Sequence, residues 1–382
     1  MVHFSSISTS LALSTLFACI VQAGKTCTVQ KSSTDDSLTI TNAFKQCSSG
    51  GTVVFPKGSN YNLDSIVDIK GLKNVNVKFY GTVHLPEYNK KYSNESVYFS
   101  IQGSHIKFDG GGVGTFQGDG QKWWDKLDKT SPTVLGITAN HSEFKGFKIL
   151  NAPRYHMEVF SSHKVTLRDL FIHTASINEN LPKNTDALDI YNSTDITFRD
   201  STVTVGDDCL SVKDNATNII AKNLNCTGGH GFSVGSLGIN HAYNYVKGVH
   251  VSDSYCSNCQ NGVRIKTWPG GNGAVSDILF ENVELVNAEN PVIITTHYCD
   301  KNQMQYCWPN ISKSLDISGI TIKDIRGSVA NLGNPAINVN CSEATPCSGF
   351  TLTNINLSKA NNTPANVCEH LKGSDKISYC SQ

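Results

Sequence analysis

The chain has 382 residues, and its 32 lysines and arginines balance 32 aspartates and glutamates, so the formal net charge is zero. This balance excludes a global attraction to nucleic acid or to an anionic membrane surface, so any charge selectivity has to be local. The length allows two average domains or one elongated domain.

The first 23 residues have the pattern of a secretory signal peptide. A mostly apolar run from Leu11 to Val21 is followed by small residues at Ala23 and Gly24. A buried strand or helix is the alternative interpretation. We expect cleavage after Ala23, a mature chain of residues 24–382, and an extracellular location. No other apolar run is long enough to span a bilayer.

The cysteines fit an oxidising compartment. Removal of Cys19 with the signal peptide leaves twelve of the thirteen, an even number that falls into close pairs. Neighbour pairing is our prediction, since sequence cannot fix connectivity. The predicted pairs are Cys27–Cys47, Cys209–Cys226, Cys256–Cys259, Cys299–Cys307, Cys341–Cys347 and Cys368–Cys380. A zinc site at Cys256-x-x-Cys259 would need a second pair at suitable spacing, which is missing. Nine Asn-x-Ser/Thr sequons also indicate a secreted glycoprotein.

A short phrase recurs along the chain: a small or polar residue, then alternating β-branched or aromatic residues. It starts at His105, Lys164, Asp195, Asn218, Gly248, Asp277, Gly319 and Gly349. From Asp195 onward the starts advance by 23, 30, 29, 42 and 30 residues. Such repeats predict an all-β chain folded as a single right-handed parallel β-helix. A β-sandwich or a propeller also uses many short strands, but no four-strand blade signature is present.

The ends of such a stack expose unpaired strand edges and need caps. The segment from Cys27 to Cys47 ends in the helix-like stretch SLTITNAFKQC and is predicted to cap the first coil. The tail from Cys341 carries two close cysteine pairs and is predicted to secure the last coil.

Polar clusters occupy consecutive repeats. They are KNTDALDI with Asn184 and Asp186, VGDDCLSVK with Asp207 and Asp208, CTGGHGFSVGSLG with His230, and NGVRIKTW with Arg264 and Lys266. Asp186 to Asp207 is 21 residues and Asp208 to His230 is 22, so each interval approximates one coil. Stacking would therefore bring these side chains together on one exposed strip.

Adjacent aspartates on a regular strand face opposite ways. For Asp207 and Asp208 to reach one strip, the chain must bend, which Gly206 permits and a disulfide between Cys209 and Cys226 would secure. Two such carboxylates can act as acid and base across a glycosidic bond. Crowding raises the pKa of one carboxyl and keeps it protonated.

The ordered motifs NTD (184–186), GDDC (206–209), GHG (229–231) and RIK (264–266) resemble the signature of glycoside hydrolase family 28, the polygalacturonases. The resemblance covers most of the mature chain and implies a right-handed parallel β-helix. It also implies hydrolysis of α-1,4 galacturonosyl bonds of pectin with inversion and without a metal or other cofactor. Ala187 departs from the glycine that members more often have there.

The resemblance implies roles for individual residues. Asp207 would be the general acid, and Asp186 and Asp208 would activate the attacking water. His230 would support the acid and help to bind substrate. Arg264 and Lys266 would bind the galacturonate carboxylate, and Asn184 would shape the site. The expected partner is pectin or polygalacturonate, with no nucleic acid or membrane, and the expected state is a monomer.

Exo action is favoured over endo action, because four stretches resemble fungal exo-acting members: FSVGSLG, RIKTW, WWDKL and NPVIITTHYCDKNQMQYC. Three alternatives stay open. A calcium-dependent pectate lyase would use the three aspartates as ligands and Arg264 or Lys266 as base. A pectin-binding wall protein would have no activity. A hydrolase of rhamnogalacturonan or xylogalacturonan would keep the fold and change the substrate.

Overall fold

A computed structural model describes residues 1–2, 24–93, 95–308 and 312–380. Most of the predicted signal peptide and the sequons at Asn94 and Asn310 lie outside these residues. Within them, every strand pair is parallel and all strands join one hydrogen-bonded network, which confirms the predicted right-handed parallel β-helix. No described helix is both long and apolar enough to cross a membrane.

The strands are β1 Thr26–Thr28, β2 Thr52–Phe55, β3 Asn60–Asn62, β4 Val67–Lys73, β5 Asn76–Phe79, β6 Thr82–His84, β7 Val97–Ser104, β8 Lys107–Asp109, β9 Thr115–Gln117, β10 Thr133–Lys145, β11 Lys148–Leu150, β12 Met157–Phe160, β13 His163–Arg168, β14 Phe171–His173, β15 Leu188–Tyr191, β16 Thr194–Thr204, β17 Leu210–Val212, β18 Ala216–Thr227, β19 Phe232–Leu237, β20 Tyr243–Ser257, β21 Asn261–Thr267, β22 Asn272–Ala288, β23 Asn290–Thr295, β24 Asp316–Val329, β25 Ile337–Asn340, β26 Ser348–Ser358 and β27 Val367–Glu369. The α-helices are α1 Ser37–Gln46 and α2 Gln121–Asp125.

The strands stack as three faces of the helix. One face, here called the site sheet, runs through β4, β7, β10, β12, β15, β17, β19, β21, β23, β25 and β27. A second face runs from β1 to β26, and a third begins at β3, β6 and β9. Long strands such as β10 turn a corner and pair on two faces.

Each start of the recurring phrase has a left-handed backbone conformation. The φ angles are between 54° and 69° at His105, Lys164, Asp195, Asn218, Gly248, Asp277, Gly319 and Gly349. This conformation strongly favours glycine and tolerates asparagine and aspartate. The side chains also stack between coils, since Asn218 Nδ2 donates to Asp195 Oδ1 at 3.1 Å. The sequence repeat therefore marks the corner where each coil turns onto the second face.

The core is a column of inward-facing apolar side chains. Phenylalanines fill its first half, where the Phe79 ring lies 4.6 Å from Phe116 and 5.1 Å from Phe108, centroid to centroid. Valine, isoleucine and leucine fill the later coils, as in β24, where Ile320 and Ile322 are fully buried. Alternate side chains point outward, so each strand offers polar positions to the surface.

Both predicted caps are present. Helix α1 buries Ile40 and Phe44 over the first coil, and Cys27–Cys47 ties the helix to β1. Two disulfides, Cys341–Cys347 and Cys368–Cys380, secure the last coils, and Cys256–Cys259 and Cys299–Cys307 are formed as predicted.

The sixth predicted disulfide is wrong. Cys209 and Cys226 are both buried free thiols, although their side chains interact. The bend that this bond was expected to hold is instead held by backbone hydrogen bonds from the coils on either side. His230 N donates to Asp207 O at 2.8 Å, and Ala187 N donates to Asp208 O at 2.9 Å.

Candidate active site

A cleft of about 1080 Å³ crosses the site sheet along the helix axis. It begins beside Leu127–Thr130, which precede β10, and ends beside Asp300–Gln303, which follow β23. Its floor carries the polar residues that lie just before successive site-sheet strands. These are Asn184, Asp186, Asp207, Asp208 and His230. The predicted exposed strip is therefore a groove.

The aspartate pair lies on a bend between β16 and β17. Gly206 closely approaches the preceding coil, where a Cβ atom at this position would lie 2.3 Å from the Pro182 carbonyl oxygen. Gly206 N also donates to Thr185 Oγ1 at 2.9 Å. The glycine is needed because a larger residue would push the bend outward. The bend then aims both carboxylates into the cleft region, as predicted.

Asp207 faces the cleft and interacts with the next coil. Its Oδ1 accepts hydrogen bonds from His230 Nδ1 at 2.8 Å and from Asp208 N at 2.9 Å. Its Oδ2 has a longer contact, 3.5 Å from Asn184 Nδ2. Because the two close donors engage Oδ1, Oδ2 is the oxygen from which a proton can be delivered. The Asp207 side chain is 13% exposed and that of His230 is 31% exposed.

The neighbouring Asp207 carboxylate changes the pKa of the His230 imidazole. Burial lowers its pKa, but the hydrogen bond and charge of Asp207 outweigh burial and raise the pKa above its usual value. A protonated His230 therefore accompanies the carboxylates at mildly acidic pH.

Asp208 is held as a buried ion pair. Its Oδ2 accepts from Lys266 Nζ at 2.8 Å, its Oδ1 accepts from Ser233 Oγ at 2.7 Å, and its side chain is 0% exposed. Burial raises the pKa of Asp208, but Lys266 and other nearby cations outweigh burial and lower it to about 2. Asp208 therefore stays ionised at mildly acidic and neutral pH.

Asp186 has the opposite electrostatic environment. It is buried, and its Oδ1 has no hydrogen-bond partner among the described residues. Burial and then the charges of Asp207 and Asp189 raise its pKa well above the usual value. The predicted raised pKa thus falls on Asp186.

The backbone of Asp186 is fixed by a buried imidazole. The Asp186 carbonyl oxygen lies 2.8 Å from His156 N and 3.0 Å from His156 Nδ1. The other ring nitrogen lies 2.8 Å from Thr174 Oγ1. Burial lowers the pKa of His156 to about 4, so the ring is neutral and structural. Such a ring holds Asp186 in place without adding charge to the site.

Arg264 and Lys266 point to the same side of β21, as predicted. The Arg264 guanidinium lies over the Tyr298 ring at 5.2 Å, and its Nε has no hydrogen-bond partner in the described chain. Arg264 itself does not line the cleft, but Lys266 and Tyr298 do, and the charge of Arg264 helps to lower the pKa of Asp208. Lys266 differs from the expectation, because Asp208 already engages its ammonium group.

Sequence reasoning missed two charged residues of this site. Asp189 is fully buried on β15, and the Lys213 ammonium, which borders the cleft, lies 3.7 Å from Asp189 Oδ1. Both stand inside motifs that were noted, NTDALDI and VGDDCLSVK. Strict alternation along a strand would place the side chains of Asp208 and Lys213 on opposite faces. Only knowledge of the bend could have grouped the two residues. Tyr298 carried no signal beyond its place beside Cys299.

The site does not fit a divalent cation well. Ligand atoms of Asp207, Asp208 and His230 lie within 4.8 Å of one another, close enough to share an ion. However, Lys266 and Ser233 already engage both oxygens of Asp208. The ammonium of Lys266 would repel a metal ion there, and its ion pair makes it a poor base for a lyase.

Comparisons of this chain with family models, with related sequences and with solved structures all point to the same family. Residues 47–379 match the family model described as Glycosyl hydrolases family 28. The chain is 55% identical to Exopolygalacturonase rpg16 of Rhizopus delemar over 93% of this chain and 92% of that protein. It is 50% identical to Exopolygalacturonase rpg15 of the same organism over the full length of both. The structure superposes on the endo-xylogalacturonan hydrolase from Aspergillus tubingensis with a TM-score of 0.79 and 25% identity, covering 91% and 98% of the two chains.

Proposed function

The chain belongs to glycosyl hydrolases family 28, and from that premise we propose that it hydrolyses α-1,4 galacturonosyl bonds of polygalacturonate from a chain end, with inversion. The observation that carries the proposal is the convergence of Asp186, Asp207 and Asp208 in one cleft that Lys266 and Tyr298 also line, with Arg264 over the Tyr298 ring. Hydrolysis needs one protonated and one ionised carboxyl group, and the cleft holds both kinds.

Asp207 donates a proton from Oδ2 to the glycosidic oxygen as the bond to the anomeric carbon breaks. Asp208, held ionised by Lys266, takes up the proton of the attacking water, and Asp186 helps to position that water. Of the two carboxyls beside the water, Asp208 is the ionised one and therefore the proton acceptor, whereas the raised pKa of Asp186 favours its protonated form. His230 orients Asp207, and Asn184 borders the same oxygen.

The Arg264 guanidinium binds the carboxylate of one galacturonate. Its unpartnered Nε and its stacking on Tyr298 suit a planar, bidentate contact with a carboxylate. Lys266 contributes positive charge while it holds Asp208. A neutral sugar at this position would leave the arginine unpaired, which argues against a substrate without uronic acid.

Exo action is supported by where the exo-like stretches lie. Leu127 of WWDKL, Ser236 of FSVGSLG and Tyr298 of the THYCDKNQ stretch all border the cleft. Side-chain hydrogen bonds fix the cleft wall at Leu127–Thr130. The Asp128 carboxylate accepts a hydrogen bond from Tyr88 OH at 3.2 Å, and Thr130 Oγ1 donates one to Ser93 Oγ at 2.7 Å. A fixed wall at one end of a cleft suits recognition of a chain end.

The test is a product time course on polygalacturonic acid, with reducing ends and chain lengths followed together. Monomer is expected from the first minutes while the polymer shortens slowly. An early ladder of oligomers would contradict exo action but would keep the hydrolase proposal. Parallel digestion of xylogalacturonan tests the substrate choice, and we expect much slower release of reducing ends there.

Secretion belongs to the same proposal. Five disulfides require an oxidising compartment, and residues 1–23 have the composition of a signal peptide. Asn140, Asn192 and Asn356 lie exposed within sequons and are open to glycosylation. The N-terminal sequence of the protein recovered from culture medium should begin at Gly24.

A further inference from the structure

The cleft contains a second cationic group that the roles above do not use. Arg154 and Lys213 line it together with Tyr155. The Lys213 side chain is only 16% exposed, so its charge is held in place and partly removed from water. Burial lowers the pKa of Lys213, but nearby acidic groups, Asp189 first, outweigh burial and raise it, so the ammonium is held charged at the cleft.

This group repeats the chemistry of the Arg264 group. The Arg154 guanidinium lies over the Tyr155 ring at 4.3 Å, as Arg264 lies over Tyr298 at 5.2 Å. The Nε atoms of both arginines are buried without a hydrogen-bond partner among the described residues. Arg154 and Tyr155 line the cleft directly, whereas in the Arg264 group Lys266 and Tyr298 line it and Arg264 lies over the Tyr298 ring.

The two groups lie on opposite sides of the catalytic coil. Arg154 immediately precedes the coil of β12, two coils before that of β17, which follows Asp207 and Asp208. Arg264 lies on β21, two coils after β17. At about 4.8 Å per coil, each arginine backbone is offset by about 10 Å from the catalytic coil. A substrate lying along the axis therefore meets one cationic group on each side of its cleaved bond.

The ammonium of Lys213 is near an acid but is not hydrogen-bonded to it. The distance from Lys213 Nζ to Asp189 Oδ1 is 3.7 Å, which is longer than a hydrogen bond, and Asp189 Oδ1 has no other partner in the described chain. Burial raises the pKa of Asp189 and also that of Glu158, which pairs with it across β12 and β15. As pH falls through these raised pKa values, the two carboxyls become neutral and compensate less of the charge of Lys213 and Arg154.

We propose that Arg154 and Lys213, supported by Tyr155, form a second carboxylate-binding subsite for the uronic acid on the opposite side of the cleaved bond from the Arg264 group. This inference rests on the proposed function and deepens it. The enzyme then requires a free carboxylate on both sugars that share the bond. Methyl esterification of either sugar removes a negative charge and an acceptor, and the matching arginine loses its partner.

The test uses trigalacturonate with a single methyl ester on one or the other sugar of the cleaved bond. The unmodified trimer, the two monoesters and four proteins are compared by kcat/KM: wild type, Arg154→Met, Arg264→Met and the control Lys126→Met, which removes an exposed charge outside the cleft. Each arginine variant should lose about 10- to 100-fold on the unmodified trimer, as expected for a charge-assisted contact.

The pattern across the monoesters is decisive. Arg154→Met should abolish discrimination against one monoester, and Arg264→Met should abolish discrimination against the other. If both variants relieve the same ester, or if Arg154→Met retains wild-type discrimination against both, the second subsite is overturned. The control should match wild type on all three substrates.

Lys213 needs a paired variant, because its removal alone leaves the buried Asp189 uncompensated. Lys213→Met with Asp189→Asn keeps the site neutral, and the variant should fold and reproduce the ester pattern of Arg154→Met. A folded double variant with the wild-type pattern would remove Lys213 from the subsite. A wild-type protein that releases no reducing ends from any trimer would instead refute the proposed function, so the two failures are distinct.

Discussion

The Nδ1 atom of His230 lies 2.8 Å from Oδ1 of Asp207, although the two residues belong to different coils. This contact engages one carboxylate oxygen and leaves the other directed at the cleft. The carboxyl group thus has a fixed orientation before any substrate arrives. Such preorganisation is what a proton donor needs.

Replacement of Asp207 by asparagine should remove turnover and keep the fold. The amide has the same size but cannot donate a proton to the leaving oxygen, so kcat should fall by about 10²–10⁴. Reducing-end release and thermal unfolding measure the two effects. Asp68→Asn, at an exposed aspartate of β4, is the control and should behave as wild type. A variant with half the normal rate would contradict the assignment.

Removal of Lys266 alone should destabilise the protein more than removal of the whole ion pair. Lys266→Met leaves the buried Asp208 carboxylate without its cation and should lower the free energy of unfolding by about 3–5 kcal/mol at neutral pH. Addition of Asp208→Asn should restore most of this loss, although neither variant should be active. Urea unfolding measures both. Equal stability of the single variant and wild type would show that the pair is not buried in solution.

Activity should be greatest at mildly acidic pH. Burial and the charges of Asp207 and Asp189 raise the pKa of Asp186, so Asp186 keeps its proton to a higher pH than usual and loses it as pH rises through the raised value. Asp208, with a pKa of about 2, remains ionised and sets no limit in this range. The pH profile of kcat/KM should fall as that proton is lost, and an optimum above neutral pH would count against the need for a protonated carboxyl.

Chelation should leave activity unchanged. The ion pair of Lys266 with Asp208 disfavours a divalent cation in the cluster with Asp207 and His230. Reducing-end release is to be compared with and without a chelator, and the products are to be checked for ultraviolet absorbance. An unsaturated product whose formation stops with chelator would establish a calcium-dependent lyase instead.

The sequence by itself determined the coil. The left-handed corner residues, such as Asp195 and Asn218, recur once per turn and leave a repeat that can be read directly. Because stacked coils place equivalent positions one above the other, the repeat also predicted that Asp186, Asp207 and His230 would meet. Five of six disulfides followed from proximity along the chain.

Only the tertiary structure decided which charged side chains contact one another. The spacing could not tell that Lys266 binds Asp208, that Asp186 is the carboxyl with the raised pKa, or that Cys209 and Cys226 remain thiols. These outcomes depend on side-chain distances of a few ångströms and on burial, which set the strength of electrostatic interactions. Arg154 and Lys213 illustrate the same limit, because their shared role arises from separate coils that only the fold brings to one cleft.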